Sequence, residues 1–256
     1  MIKKRIAATV VVKNNQVVQS FSYKNYLPIG SPEVVIQNLD RWSVDDIILL
    51  NIDRSSNRLG PNYNLIKKIS SIPISTPLTY GGGISSKKDA LNAIAAGAER
   101  IIIDQLFIND PKKIKDISNS IGSQAVIVCL PLKQTDKDLY YYDYLKKTST
   151  KLDLKKIKHY EDFISELLIV DFESQGFQGS FNSEMISSFS NININLICYG
   201  GIGLSKKANI LLENNQVNSI AYGNILNYGE LFFQKIKKSL NNSKQKLRKS
   251  IFREKI

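Results

Sequence analysis

Histidine and cysteine are almost missing from this chain, with one His and two Cys in 256 residues. That scarcity removes most routes to histidine-based acid–base chemistry and to a zinc site of thiolates and imidazoles. Cys129 and Cys198 each fall inside an apolar run, without metal-ligand spacing. Both are expected as small buried side chains in a reducing compartment. His159, between Lys158 and Tyr160 in a helix-like segment, is expected at the surface. No Ser/His/Asp or Cys/His nucleophile set, metal cluster or dinucleotide fingerprint appears, so neither metal nor cofactor is expected. No stretch reaches the roughly 20 apolar residues of a membrane span. The opening Met1-Ile2-Lys3-Lys4-Arg5 leads into a strand without a signal-peptide core, which predicts a cytoplasmic protein with no membrane partner.

What is present is a large core and an excess of positive charge. Apolar residues make up 43% of the chain, and 35 Lys+Arg against 23 Asp+Glu give a net charge of +12. Such an excess admits nucleic acid or an anionic substrate. It is spread along the sequence, however, and concentrates only in Lys235–Lys255, which reads as a solvated helix face and a frayed tail. Nucleic acid is therefore not the expected partner.

The chain is organised around a glycine turn that occurs twice. Tyr80-Gly81-Gly82-Gly83-Ile84 reappears as Tyr199-Gly200-Gly201-Ile202-Gly203, 119 residues later. Each copy follows an apolar run and precedes a helix-like segment. Strands ending in successive glycines leave bare N–H groups that an anion can approach closely. Val11-Val12-Lys13 matches Pro131-Leu132-Lys133 at an offset of 120, Leu49–Asp53 matches Leu167–Asp171 at 118, and Arg100–Asp104 matches Ser219–Gly223 at 119. One order at one spacing argues for a duplicated half.

Apolar strands alternate with amphipathic helices in between, as a helix-covered parallel sheet requires. Strands are expected at Lys4–Val12, Asp46–Asp53, Ser75–Tyr80, Arg100–Asp104, Ala125–Leu130, Leu167–Phe172, Asn195–Tyr199 and Ser219–Tyr222. Gln16–Tyr23 is expected in a small hairpin outside the sheet. The tyrosine-rich 139–145 run is expected as an arm of a second hairpin over its edge. Helices are expected over Asp153–Phe163, Asn182–Ser190, Ser205–Glu213 and Glu230–Leu240, among others. Eight strand–helix units in about 240 residues predict a TIM (β/α)8 barrel over 1–240, with a basic tail over 241–256.

With the strands placed, the chain resembles the cyclase subunit of imidazole glycerol phosphate synthase along nearly all of Met1–Leu240. The resembling stretches include Lys4-Arg5-Ile6, Tyr80–Ile84, Gly97-Ala98, Ile121-Gly122-Ser123-Gln124-Ala125-Val126, Ser183-Glu184-Met185-Ile186 and Gly200-Gly201. The resemblance implies a glutaminase docked at the barrel's N-terminal face and ammonia passing through the interior to a substrate with two phosphates at the mouth. It also implies two catalytic aspartates at the ends of the first and fifth strands. Here those positions are Val11 and Pro131, neither of which can carry a proton, and Asn51 stands where a third carboxylate is expected.

At the opposite end the resemblance implies an ammonia gate of alternating charges, which maps onto Arg5, Asp46, Arg100 and Glu166, each at a strand start. Arg5 and Val11, like Arg100 and Asp104, are an even number of residues apart and should face the same way. Four charges that merely solvate a barrel end would look the same in sequence. Lost chemistry beside a kept conduit, an aliphatic residue at position 11 and the run Pro61-Asn62-Tyr63-Asn64-Leu65-Ile66 look like a branch that passes ammonia to a separate amidotransferase acting on nucleotide-linked sugars in surface-polysaccharide synthesis. Pro131 departs even from that branch. A histidine-pathway cyclase, or a module binding a phosphorylated ligand or polyanion, are the alternatives.

Two phosphate sites are implied, at Gly81, Gly82 and Gly83 and at Gly200, Gly201 and Gly223. Asp104 and Gln105 compromise the first, since a carboxylate repels phosphate. Tyr222, Gly223 and Asn224 bring no negative charge to the second. The glycines also suit tight turns alone. Asp53, Asp171 and Glu173 remain near the mouth as a possible replacement acid–base set, although such carboxylates also serve as caps.

Overall fold

Eight parallel strands close around one axis in a computed structural model that describes residues 3–204, 206–229, 232–241 and 247–248. The elements are β1 (Arg5–Lys13), β2 (Gln16–Phe21), β3 (Asn25–Gly30), α1 (Pro32–Arg41), β4 (Asp46–Asn51), α2 (Ile52–Ser56), α3 (Tyr63–Ser70), β5 (Leu78–Gly81), α4 (Lys87–Ala95), β6 (Arg100–Ile103), α5 (Gln105–Asn109) and α6 (Lys112–Ile121). They continue with β7 (Val126–Thr135), β8 (Asp138–Asp143), β9 (Thr148–Lys151), α7 (Leu154–His159), β10 (Glu166–Asp171), β11 (Asn195–Tyr199), α8 (Lys206–Glu213), β12 (Val217–Tyr222) and α9 (Phe232–Asn241). The barrel runs β1-β4-β5-β6-β7-β10-β11-β12 and closes through the parallel β12–β1 pair. This is a TIM (β/α)8 barrel.

Strand alternation sorts each strand between two environments. Ile6, Ala8, Val10 and Val12 of β1 join the layer between strands and helices. Ala7 belongs instead to the lumen cluster with Ile48, Ile127, Leu168 and Ala221. The helices reach the outer layer through short apolar faces. In α3, Leu65, Ile66 and Ile69 are buried, and the Asn62 side-chain oxygen caps the helix by accepting from the Leu65 N–H at 3.1 Å. Burying a side chain such as Ile66 stabilises the fold by about 1.5–3 kcal/mol.

The sequence repeat has a geometric counterpart. A Cβ added at Gly82 (φ 138°) would lie 2.4 Å from the Asn51 carbonyl oxygen, and one at Gly200 (φ 104°) would lie 2.4 Å from the Asp171 carbonyl oxygen. In each half a glycine lets one strand end cross tightly over the end of another.

Several expectations need correction. β4 stops at Asn51, so Asp53 lies in α2 rather than on a strand. Glu173 lies beyond β10. The chain turns at residue 104 into the unexpected α5, whose first free N–H, that of Gln105, is taken by the Asp104 carboxylate at 2.6 Å. Asn182–Ser190 is not an α-helix but 3₁₀ turns over Ser183–Phe189. There the Ser187 hydroxyl donates to the Glu184 carbonyl at 2.7 Å, a local bond that competes with helical pairing. α7 ends at His159 and a 3₁₀ turn follows over Glu161–Phe163.

Part of the positive charge is structural. Lys237 of α9 is buried and lies 2.7 Å from Asp45, so α9 is not simply a solvated face. Lys4 is buried and donates to the Asn214, Asn215 and Val217 carbonyls. Leu247 is buried and bridges to Lys4. Most of the basic 241–256 segment lies outside the described residues, as do the expected helix starts at Ser205 and Glu230.

Candidate functional site

At the end of the barrel where the strands begin, four charges point into the lumen and meet. The register sets Ala7 beside Asp46, Thr79 beside Arg100 and Ile127 beside Glu166. Arg5 donates to Asp46 at 2.9 Å and also to Glu166. Arg100 donates to the same two carboxylates. Each cation therefore holds both anions, and the ring is closed. The side chains are only 2–18% exposed, so these groups are withdrawn from water rather than solvating the end. Burial raises the Asp46 carboxyl above its ordinary value against the pull of Arg100 and Arg5. Burial also works against the Arg100 charge, but Asp46 and Glu166 outweigh it and hold the guanidinium above its usual value. Thr79 steadies the ring by donating to Asp46 at 3.3 Å.

The lumen is mostly apolar, with two exceptions. The hydroxyls of Thr9 and Ser219 are buried and unpartnered. Thr9 lies two residues above the small Ala7 on β1, whereas Ser219 pairs in register with Arg5 and so lies level with the ring. Sequence reasoning fixed the orientation of Arg5 and Val11 but missed Thr9 between them, although the same parity points to it.

At the mouth a cavity of about 310 Å³ is lined by Val11, Leu50, Asn51, Asp53, Gly81, Gly82, Ile102, Asp104, Cys129, Pro131 and side chains of the two hairpins. Val11 and Pro131 thus share one chamber, and no titratable group stands at either position. Cys129 is buried, and desolvation pushes its thiol far above the usual value, which disfavours the thiolate.

The hairpin β8–β9 is latched over this chamber by the two residues that looked out of place for phosphate binding. Tyr144 donates to the Asp104 carboxylate at 2.6 Å. The Gln105 amide donates to the Tyr141 hydroxyl at 3.0 Å and to Asp143 at 3.1 Å. Burial raises the Asp104 carboxyl, opposed by the Tyr144 hydrogen bond. At the first glycine turn, the Gly83 N–H already donates to the Ser55 hydroxyl at 2.9 Å. Tyr142 stacks on Phe172 at 4.2 Å between ring centroids, and Tyr23 from the β2–β3 turn packs on both.

The second glycine turn lines a separate space of about 30 Å³, room for only a water or two. A Cβ on Gly201 would lie within 3 Å of the Ser174 and Phe177 carbonyl oxygens, and one on Gly223 would lie 2.9 Å from the Tyr199 hydroxyl. These glycines admit the loop after β10 and the Tyr199 ring. Asn224 is committed elsewhere: its amide accepts from the Ser20 N–H at 3.1 Å and donates to the Ser20 carbonyl at 2.8 Å. The Tyr222 hydroxyl, buried at this site, has no partner.

Residues 5–232 match the family described as Histidine biosynthesis protein. The chain belongs to that family and is HisF-like. It is 33% identical over 208 residues to a protein of Vibrio vulnificus that bears the provisional name imidazole glycerol phosphate synthase subunit hisF2, covering 79% of this chain and 75% of that one. It is 26% identical over 254 residues to the imidazole glycerol phosphate synthase subunit HisF of Flavobacterium psychrophilum, covering 97% and 100%. A provisionally named HisF of Leptospira interrogans is 26% identical over 233 residues, covering 89% and 91%.

In this HisF-like chain the leftover carboxylates do not form an acid–base set. Asp171 accepts from the Ser174 N–H at 3.2 Å and the Asn182 N–H at 2.9 Å, holding the loop after β10. Glu173 is exposed and lies 4.0 Å from Lys133. Of the three, Asp53 alone lines the mouth cavity. His159 is exposed and rests on Tyr160, as expected. Among the described residues no helix is long and apolar enough to cross a membrane.

Proposed function

We propose that this HisF-like barrel is the conduit subunit of a glutamine-dependent amidotransferase, receiving ammonia from a glutaminase at the ringed end and delivering it at the mouth. The single observation that carries the reading is the closed ring of Arg5, Asp46, Arg100 and Glu166 beneath a mouth with Val11 and Pro131 in place of acids. Burying four charges against one another is expensive unless each is well paired, and an apolar plug would close the same end without that penalty. A charged ring offers what a plug does not. Because each arginine holds both carboxylates, one can swing aside while the other keeps the anions paired, opening a path for a small neutral molecule. The unpartnered Thr9 hydroxyl, beyond the ring, then gives ammonia a hydrogen-bonding partner in an otherwise apolar lumen.

The acceptor in this reading is a sugar linked to a nucleotide, amidated by a separate ATP-using enzyme, in the making of surface polysaccharide. The cyclase reaction of histidine biosynthesis is disfavoured by the absence of a titratable group at either expected position and by the Asp104–Tyr144 latch beside the first glycine turn. A phosphate on Gly200, Gly201 and Gly223 is supported by the uncharged lining of that turn.

The test is purification of the chain from its own cells, followed by glutaminase assays. A co-purifying glutaminase whose glutamine hydrolysis rises on binding is expected. Arg5→Ala should keep that hydrolysis while product formation from glutamine falls about tenfold relative to product formed from added ammonium salt. Absence of a glutaminase, or coupling unchanged by Arg5→Ala, overturns the reading. Growth of a histidine auxotroph carrying this chain would restore the cyclase.

A further inference from the structure

Behind the charged ring lies a second set of buried charges, which the ring itself does not use. Lys4, Asp45 and Lys237 are only 7%, 8% and 6% exposed. Two of them adjoin ring members in sequence, Lys4 before Arg5 and Asp45 before Asp46. Strand alternation turns Arg5 into the lumen and its neighbours Lys4 and Ile6 toward the helix layer.

The backbone on each side of Arg5 is tied down from that outer layer. On one side the Ile6 N–H donates to Asp45 Oδ2 at 2.8 Å, and the Asp45 N–H donates to the Ile6 carbonyl at 3.1 Å. Asp45 Oδ1 accepts from Lys237 Nζ of α9 at 2.7 Å, and Lys237 also donates to the Arg248 carbonyl at 3.3 Å. On the other side Lys4 Nζ donates to the carbonyls of Asn214, Asn215 and Val217, at the start of β12, at 3.0, 3.3 and 2.6 Å. The Lys4 backbone bridges to the buried Leu247. Among the described residues Arg100 has no such support, since Glu99 before it is exposed and Ile101 after it is apolar.

An apolar pair would dock α9 on the barrel without the cost of withdrawing two charges from water. What the charged pair adds is a fixed direction for the backbone that carries Arg5. We infer that Asp45 and Lys237 are positioning residues for the gate. Through the Ile6 backbone they set where Arg5 enters the ring, and through Lys237 they join α9 and the segment at Leu247 and Arg248 to it. The inference rests on the conduit reading for what the ring does. The brace itself requires no partner.

The experiment compares the full chain with Lys237→Met by NMR, following the Arg5 guanidinium Nη–H signals and the backbone amide of Ile169 in β10. Slow exchange of the Arg5 signals with water is expected in the parent. In Lys237→Met that exchange should speed up about tenfold or more, while the Ile169 amide stays within about threefold of the parent. In the intact complex, product nitrogen drawn from labelled glutamine should be diluted by added ammonium more in Lys237→Met than in the parent. Leu247→Ser, which loosens the same brace from the C-terminal segment, gives the same comparison if Lys237→Met does not fold. Arg5 exchange that is already fast in the parent, or unchanged in the variant, overturns the inference. So does a rise shared equally by Ile169, which marks general loosening, and so does undiminished label in the variant where the parent retains it. A parent that retains no label overturns the conduit reading instead, and the exchange comparison alone then decides whether the brace positions Arg5.

Discussion

The two ends of this barrel treat buried charge in opposite ways. At the base, Arg5, Asp46, Arg100 and Glu166 are spent entirely on one another. At the mouth, Asp104 is spent on the hairpin, Asp171 on a loop, and Asp53 is half used. Val11 and Pro131 add nothing ionisable. A ring that is complete in itself makes no demand on the groups above it, so the two ends of a HisF-like barrel can differ independently. What survives at the mouth is shape and hydrogen bonding.

The sharpest way to break the comparison is to unbalance the base. Asp46→Leu leaves two buried guanidiniums with one carboxylate, a loss of about 3–5 kcal/mol. At roughly 2–4 °C per kcal/mol for a chain of this size, thermal unfolding should begin about 10 °C lower. An unchanged midpoint would mean that the ring contributes nothing to the fold.

The equivalence of the halves comes next. Gly82→Ala and Gly200→Ala each force a Cβ toward a carbonyl oxygen at positive φ, and each should lower stability by about 3 kcal/mol in denaturant titration. A large loss in one half only would break the symmetry.

The smallest effect belongs to the latch. Burial holds the folded Asp104 carboxyl above its unfolded value. Its favourable contribution is thus fully present below the unfolded pKa and is lost as pH rises through the folded one. Asp104→Asn mimics the protonated form, so melting curves across pH should show the variant gaining on the parent as pH rises through that window. A difference that is flat with pH would mean that the carboxylate is not penalised by burial.

Much of this was legible in the sequence. Apolar strand runs, helix caps and the repeat at about 119 residues are local or periodic signals, and they gave the barrel. Parity along β1 and β6 put Arg5 and Arg100 on the lumen side. What the sequence hid was pairing across distance. Asp104 read as a defect in a phosphate site, because its partner Tyr144 is 40 residues away and reaches it only through the β8–β9 hairpin. Asn224 read as an uncommitted neighbour of Gly223 until Ser20, 204 residues distant, claimed its amide. The aromatic trio of Tyr23, Tyr142 and Phe172 likewise joins three separate connections.

Isotope competition in the intact complex tests the central claim most directly. Glutamine labelled with nitrogen-15 in its amide is supplied together with excess unlabelled ammonium, and the label in the amidated product is measured. A conduit closed by the Arg5–Asp46–Arg100–Glu166 ring predicts product nitrogen drawn overwhelmingly from glutamine in the parent, and diluted toward the bath in Arg5→Ala. Dilution to the bath ratio in the parent itself would contradict it.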